Sequence, residues 1–114
     1  MRGLALRSHY WGALVVVVAS GELDPEGAGV LGSHLQKVQR GSDVVVDLWD
    51  ITRCGPEGIA TLKAARERST ELGWGFAVVA DPEGPCVEAI AAEGVKTRIE
   101  TFADRYAARQ ALRF

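Results

Sequence analysis

The chain has 114 residues, of which 47% are hydrophobic and 25% are charged, a composition typical of a single globular domain (residues 1–114) that can bury one core. Its 13 Lys and Arg and 15 Asp and Glu residues give a formal net charge of −2, which argues against a nucleic acid or an anionic membrane as a partner held by bulk electrostatics. The longest apolar run, Ala13 to Ala19, is too short to span a bilayer, and no signal sequence follows Arg2, so we expect a cytoplasmic protein without membrane insertion.

The first elements predicted along the chain are two strands that form a hairpin. Alternating apolar residues from Leu4 to Ser8 predict a half-exposed strand, and Ala13 to Ser20 predicts a more buried one. Trp11-Gly12 is predicted to form the turn between them, and so short a connection favours antiparallel pairing.

A helix is predicted next, beginning at Asp24-Pro25 and ending at Gly41. Aspartate is a good N-cap, and proline suits the first helical position. The apolar spacing predicts a core-facing side formed by Ala28, Leu31, Leu35 and Val38. We expect this helix to be the least stable, because each glycine costs a helix up to about 1 kcal/mol relative to alanine, and it contains Gly27, Gly29 and Gly32.

The central segment predicts a buried strand, a tight loop and a long helix. Val44 to Trp49 is rich in β-branched residues and suits a strand covered on both faces. The pattern breaks at Cys54 to Gly58, and a helix is predicted from Glu57 to Leu72 with its first turn opened by Pro56. Its predicted core-facing residues are Ile59, Leu62, Ala65, Ser69 and Leu72. Because α/β proteins place their sites between a strand's carboxyl end and a helix's amino end, we expect function at this loop.

The remaining chain predicts a strand, a helix, a short edge strand and a closing helix. These are Trp74 to Ala80, Cys86 to Glu93, Lys96 to Glu100 and Ala103 to Leu112. The predicted inward-facing residues are Val87, Ile90 and Ala91 in the first of these helices and Ala103, Tyr106 and Ala107 in the second. The resulting order, ββαβαβαβα, predicts an α/β fold with a mixed sheet of about five strands and about four helices packed on it.

A literal G-x-G-x-x-G motif spans Gly27 to Gly32, with Asp47 at about the distance expected in a dinucleotide-binding fingerprint. That motif requires its first glycine in the tight turn directly after a strand. Here the helix already begins at Asp24-Pro25, so the glycines fall inside it. We therefore expect no nucleotide cofactor.

Other catalytic signals are weak. His9 and His34 have no sequence reason to meet, and no serine lies in a nucleophile-elbow setting. The two cysteines lack metal-site spacing. The basic residues of the second and last helices are consistent with solvated helix faces: Lys63, Arg66, Arg68, Arg105, Arg109 and Arg113. We expect neither an enzyme nor a metal site.

Three short motifs resemble the STAS domain family, which is typified by anti-sigma factor antagonists. They are Gly21-Glu22-Leu23-Asp24 after a hydrophobic strand, Asp47-Leu48 ending the central strand, and Gly58-Ile59 at the start of the following helix. The resemblance covers about Leu4 to Leu112 and implies a SpoIIAA-like fold. It also implies a non-catalytic regulator that binds an anti-sigma factor with a histidine-kinase-type ATPase fold.

The family's switch is usually Asp-Ser-Ser/Thr-Gly-Leu, whose first serine is phosphorylated by the partner. Here Gly55 replaces the aspartate, Pro56 the phosphoacceptor serine and Glu57 the second hydroxyl residue, while Gly58 and the apolar Ile59 are kept. Proline has no hydroxyl group, so the usual switch cannot operate at that position. Either the protein still binds an anti-sigma factor without phosphate control, or it serves another assembly. Alternatively, Pro56 and Glu57 are simply favourable first-turn residues.

The resemblance implies a partner-binding surface formed by Asp24 and the loop Gly55 to Ile59, on a monomer or weak dimer. The alternative is a non-catalytic accessory subunit, such as the STAS subunits found with lipid or anion transport systems.

The two cysteines offer a further hypothesis. Cys54 follows the central strand and Cys86 opens the helix after the next strand. If these strands are parallel neighbours, both thiols emerge at the same sheet edge and could form a redox pair. We expect the helix N-terminus to lower the pKa of Cys86. The alternative is two reduced, half-buried thiols, since disulfides are rare in the cytosol.

Overall fold

The structure is a computed structural model that describes residues 3–93 and 99–112. Its elements follow the predicted order: β1 (Leu4–Trp11), β2 (Leu14–Leu23), α1 (Pro25–Val38), β3 (Val44–Cys54), α2 (Pro56–Leu72), β4 (Phe76–Val79), α3 (Pro85–Glu93), β5 (Thr101–Phe102) and α4 (Arg105–Leu112). The predicted edge strand Lys96 to Glu100 falls largely outside the described residues, and the described strand begins at Thr101.

The five strands form one mixed sheet in the order β1-β2-β3-β4-β5. β1 pairs antiparallel with β2, from Leu4 opposite Gly21 to Trp11 opposite Leu14. The remaining neighbours are parallel, since a helix connects each strand to the next. This arrangement confirms the predicted α/β fold, with an opening hairpin followed by crossover connections.

Hydrophobic residues cover both faces of the sheet. One face packs under α1, α2 and α3, and its core includes Leu31, Leu62 and Ile90. The other face packs under α4, with Val16, Val45 and Ala108 among its buried residues. A strand buried on both faces needs apolar residues at successive positions, which explains the continuous valine run in β2 and the start of β3.

The central strand β3 is longer than predicted. It continues past Trp49 to Cys54, because the end of β2 lies beside it and pairs Gly21 with Ile51 and Leu23 with Cys54. Polar residues in this extension interrupt the apolar run that predicted the strand, so the sequence pattern ends too early. Ile51, within the extension, is buried. The extension carries β3 to the sheet edge where α1 and α2 begin.

The predicted burial of several core-facing residues is wrong. Leu72 is 53% exposed because it lies in the last turn of α2, just before the left-handed Gly73 that ends the helix. In α3, Ile90 is buried but Ala91 is exposed. In α4, Tyr106 is 63% exposed and Ala108 is buried instead. Arg105 was predicted to be solvated, but it is half-buried and pairs with Asp47 of β3, with 2.6 Å between Nε and Oδ2.

Ala103 was predicted to face inward from the last helix, but it is exposed and precedes α4. No helix within residues 3–93 and 99–112 has the length and apolar character needed to cross a membrane.

Candidate functional site

The candidate site lies at the sheet edge formed by the carboxyl ends of β2 and β3. Here α2 begins with Gly55 as N-cap and Pro56 in its first turn, and the cap contributes no side-chain hydrogen bond. Gly55 N–H donates to the Leu23 carbonyl at the end of β2 (3.1 Å), while its own carbonyl accepts from the N–H of Gly58 (3.0 Å) and of Ile59 (3.3 Å). The loop is therefore fixed to both neighbouring elements by its backbone.

The residues predicted to contact a partner differ in exposure. Pro56 and Glu57 are exposed, Gly55 is half-buried, and Gly58 is buried. Ile59 is 3% exposed and belongs to the core, so its side chain cannot form part of a contact surface. The reason is its spacing from Leu62 and Ala65, which places it on the core-facing side of α2. Pro56 and Glu57 are the loop side chains that a partner could reach.

Asp24, the other predicted contact residue, caps α1. Its Oδ1 accepts a hydrogen bond from the Gly27 N–H at 2.7 Å. The side chain is half-buried, and this bond satisfies a backbone donor that the helix itself leaves unpaired. Asp24 thus shapes the site edge by fixing where α1 begins.

Two exposed side chains beside the loop, Thr52 and Arg53, were not predicted as contact residues. Thr52 donates from Oγ1 to the Gly21 carbonyl at 3.1 Å. Arg53 forms an ion pair with Glu22 across the β2–β3 pair, with 3.8 Å between Nη1 and Oε2, and its side chain is 73% exposed. The signal was the alternation of Ile51 with polar neighbours, which indicates that the strand continues to the loop.

The structure brings Cys54 and Cys86 together. Cys54 ends β3 and is half-buried, whereas Cys86 lies in the first turn of α3 and is buried. The Cys86 thiol hydrogen-bonds to Cys54. Both cysteines are reduced, and their pairing as a disulfide stays a prediction.

The predicted lowering of the Cys86 pKa is wrong. The hydrogen bond to Cys54, burial, and the negative charge of a Cys54 thiolate all raise the pKa of Cys86. The same hydrogen bond lowers the pKa of Cys54 and outweighs the effect of burial there. The hydrogen bond thus favours the thiolate on Cys54 over the thiolate on Cys86, because it lowers the pKa of Cys54 and raises that of Cys86.

Comparisons with known proteins agree with this fold. The sequence model of the family described as "Mlab, STAS domain" matches residues 11–97 of the chain. The chain belongs to the STAS domain family. No curated protein matches the sequence at a significant level.

Solved structures resemble this STAS domain over nearly its whole length. A crystal structure of an anti-sigma factor antagonist from Mycobacterium paratuberculosis is 26% identical, covers 97% of this chain and 95% of that chain, and has a TM-score of 0.83. A putative anti-sigma factor antagonist from Thermotoga maritima is 14% identical over 96% of this chain and 95% of that chain, with a TM-score of 0.80. Phosphorylated SpoIIAA from Bacillus is 11% identical over 94% of this chain and 99% of that chain, with a TM-score of 0.69. The fold is SpoIIAA-like.

The Gly21-Glu22-Leu23-Asp24 motif of this STAS domain has a structural explanation. Gly21 adopts a φ of +111°, and a Cβ there would lie 2.0 Å from the Gly3 carbonyl oxygen, so only glycine fits. Leu23 is fully buried, and its Cβ would lie 3.0 Å from a Cβ added at Gly58. Gly21 therefore allows close packing against the start of β1, and Leu23 packs against Gly58 at the N-terminus of α2.

The glycines of the apparent dinucleotide motif lie inside α1, as predicted. Gly27 is buried, and a Cβ there would lie 2.4 Å from the Glu22 carbonyl oxygen. Both carboxylate oxygens of Asp47 accept hydrogen bonds from within the domain. Its Oδ2 accepts from Arg105 Nε at 2.6 Å, and its Oδ1 accepts from the Trp49 N–H at 3.0 Å. These residues pack and connect elements of the fold.

The histidine and arginine side chains that could take part in catalysis either contact other residues or lie on the surface. His34 contacts the Ser8 hydroxyl at 3.0 Å, and His9 lies exposed on β1. Arg68 donates to Gln39, and Arg109 stacks 4.4 Å over the Trp11 ring. Arg113 lies outside the described residues. Among residues 3–93 and 99–112, no three His, Cys, Asp or Glu residues are grouped to hold a metal ion.

Proposed function

We propose that this STAS domain is a non-catalytic regulatory protein that binds an anti-sigma factor with a histidine-kinase-type ATPase fold. The observation that carries the proposal is its similarity to the mycobacterial anti-sigma factor antagonist, at 26% identity over 97% of the chain. The absence of a nucleotide-binding turn at Gly27 to Gly32, which are inside α1, is consistent with a role in protein binding.

The proposed contact surface is the edge formed by the β3–α2 loop. Pro56 and Glu57 are exposed there, and Thr52 and Arg53 are exposed on the strand that leads to it. Glu57 lies in the first turn of α2, where the helix dipole favours a negative charge. Gly58 keeps the loop close to Leu23. The surface thus combines a loop whose backbone is held by hydrogen bonds with the permanently charged side chain of Glu57.

We further propose that phosphate does not control this surface at the usual position. Pro56 has no hydroxyl group to accept it. The two nearest threonines are engaged in hydrogen bonds: Thr52 with the Gly21 carbonyl and Thr61 with the Ala28 carbonyl. Glu57 would supply a constant negative charge in place of a switchable one.

The alternative function is an accessory subunit of another assembly, such as a lipid or anion transport complex. Two observations favour it: the phosphoacceptor serine is replaced by Pro56, and the matching family model is described by the name Mlab. In this case the same edge would bind a different protein, and no sigma factor regulator would be recovered with it.

Affinity purification of the tagged chain from its native host, with mass spectrometry of bound proteins, distinguishes these functions. We expect an anti-sigma factor with an ATPase fold to be recovered. Incubating that complex with ATP should leave the peptide from Cys54 to Lys63 without phosphate, because its exposed first turn contains Pro56. Recovery of transport subunits alone would contradict the anti-sigma proposal, and phosphate on the peptide from Cys54 to Lys63, whose one hydroxyl residue is Thr61, would contradict the loss of phosphate control at this loop.

A further inference from the structure

The two cysteines of the chain meet at the edge that carries the candidate binding loop. Cys54 is the last residue of β3, and Cys86 lies in the first turn of α3. Both belong to the same hydrophobic cluster, Cys86 as a buried member and Cys54 as a partly buried neighbour, and the two thiols share a hydrogen bond. Two separate elements therefore bring the two side chains together in one cluster.

We propose that Cys54 and Cys86 form an oxidation site in which a hydroperoxide converts the two thiols into an intramolecular disulfide. The proposal goes beyond partner binding, since it concerns the isolated domain and requires no other protein. Hydrogen peroxide is the smallest oxidant of this class and can reach a half-buried sulfur.

The reaction has two steps. In the first, the Cys54 thiolate attacks one oxygen of the peroxide, the O–O bond breaks, and Cys54 becomes a sulfenic acid while the other oxygen leaves as water after taking a proton. In the second, the Cys86 sulfur attacks the Cys54 sulfur, an S–S bond forms, and the sulfenic hydroxyl leaves as water with the Cys86 proton. Overall, two thiols and one hydrogen peroxide give one disulfide and two waters.

The environments of the two thiols suit these roles. Cys54 is half-buried and open to a small reagent, whereas Cys86 is 2% exposed and can be reached by its neighbour but not by solvent. The hydrogen bond from Cys86 lowers the pKa of Cys54, which increases the fraction present as the reactive thiolate. An accessible attacking thiol beside a protected second thiol is the arrangement found in redox-sensitive cysteine pairs.

A disulfide here would change the edge of the candidate site, and this consequence depends on the proposed function. The Cys54 sulfur lies 3.5 Å from where a Cβ at Gly58 would be, and Cys54 precedes Gly55 directly. Joining it to Cys86 would tie the base of the β3–α2 loop to α3. We therefore expect oxidised and reduced protein to bind the partner with different affinities.

The test is intact-mass analysis of the purified, reduced chain before and after treatment with hydrogen peroxide. We expect monomeric wild-type protein to lose about 2 Da, the mass of two hydrogen atoms. Digestion with trypsin without reduction should then give residues 54–63 joined to residues 69–96, because cleavage follows Arg53, Lys63, Arg68 and Lys96. This mapping uses the unaltered chain and does not depend on any variant folding.

Two single variants separate the roles. In Cys86→Ala, Cys54 should be trapped by dimedone as a sulfenic acid. In Cys54→Ala, the buried Cys86 should show at least tenfold less labelling. An unchanged mass after peroxide treatment, a disulfide between two chains, or stronger labelling of Cys86 than of Cys54 would overturn the proposal.

A partner-binding measurement on the oxidised and reduced forms addresses the consequence separately. If the disulfide forms but no anti-sigma factor binds either form, the oxidation site stands and the proposed function fails. If the reduced chain binds the anti-sigma factor but no disulfide forms, the proposed function stands and the oxidation site fails.

Discussion

Two glycines in α1 show that the same residue type has opposite roles two positions apart. A Cβ at Gly27 would lie 2.4 Å from the Glu22 carbonyl oxygen, whereas a Cβ at Gly29 would have no atom within 4 Å. Gly27 allows the first turn of α1 to pack closely against the end of β2. Gly29 is exposed and gives the helix only the entropic cost of glycine.

Alanine substitutions at these two positions should therefore have opposite signs. We expect Gly27→Ala to lower the free energy of unfolding by about 1–3 kcal/mol, because the backbone must shift to admit the new methyl group. Gly29→Ala should raise it by about 0.5–1 kcal/mol. Urea denaturation of the two variants and the wild type measures both. Equal effects at the two positions would contradict the packing role of Gly27.

The sequence alone could not show that Gly27 is required for packing and Gly29 is not. Both fit a G-x-G-x-x-G pattern, and both lower helix propensity. Which of them is needed depends on Glu22, whose carbonyl approaches from a strand that the pattern does not include. The same limit applies to Ile59: the family resemblance placed it in a contact surface, while its spacing within α2 places its side chain in the core.

At the scale of elements, a buried polar network joins α1 to α2. Gln39 follows α1 and is fully buried. Its Nε2 donates to the Ala65 carbonyl (2.7 Å) and to Ser69 Oγ (2.6 Å), and its Oε1 accepts from Arg68 Nη1 (2.5 Å). Every polar atom of this side chain has a partner on α2, which fixes the distance between the two helices.

Removing this side chain should weaken the fold. We expect Gln39→Ala to lower the free energy of unfolding by about 1–3 kcal/mol, because Ser69 and the Ala65 carbonyl lose their partner in a buried environment. Gln36→Ala is the matched control, since Gln36 is exposed in α1 and its substitution should have an effect below about 0.5 kcal/mol. Thermal and urea denaturation would show the difference. A Gln39 variant as stable as the Gln36 variant would rule out the network as a stabilising contact.

The orientation of an element depends on contacts that the apolar pattern does not contain. The core-facing side of α1 was predicted correctly, because its buried leucines follow helical spacing. The core-facing side of α4 was predicted incorrectly, because Arg105 pairs with Asp47 of the sheet, with 2.6 Å between Nε and Oδ2. A charged residue that faces inward cannot be distinguished from a solvated one by its type alone.

At the scale of the whole molecule, the element order and the mixed sheet were predictable because each depends on local signals. Asp24-Pro25 and Pro56 mark helix starts, Gly73 marks an end, and a helix between two strands makes them parallel. The same order predicts a candidate site at the loop between β3 and α2. Its chemistry was not predictable, since the pKa of each cysteine depends on the hydrogen bond between Cys54 and Cys86, which are 32 positions apart in the sequence.

We propose that this STAS domain binds an anti-sigma factor through the exposed first turn of α2. The most direct test is the dissociation constant of the recovered anti-sigma factor for the wild type, Glu57→Lys and Glu67→Lys, measured by calorimetry. Both glutamates are exposed on α2, and Glu57 alone lies in its first turn. We expect Glu57→Lys to weaken binding by about tenfold or more, equivalent to about 1.4 kcal/mol, with Glu67→Lys close to wild type. Equal affinities for all three proteins, or a loss confined to Glu67→Lys, would contradict the claim.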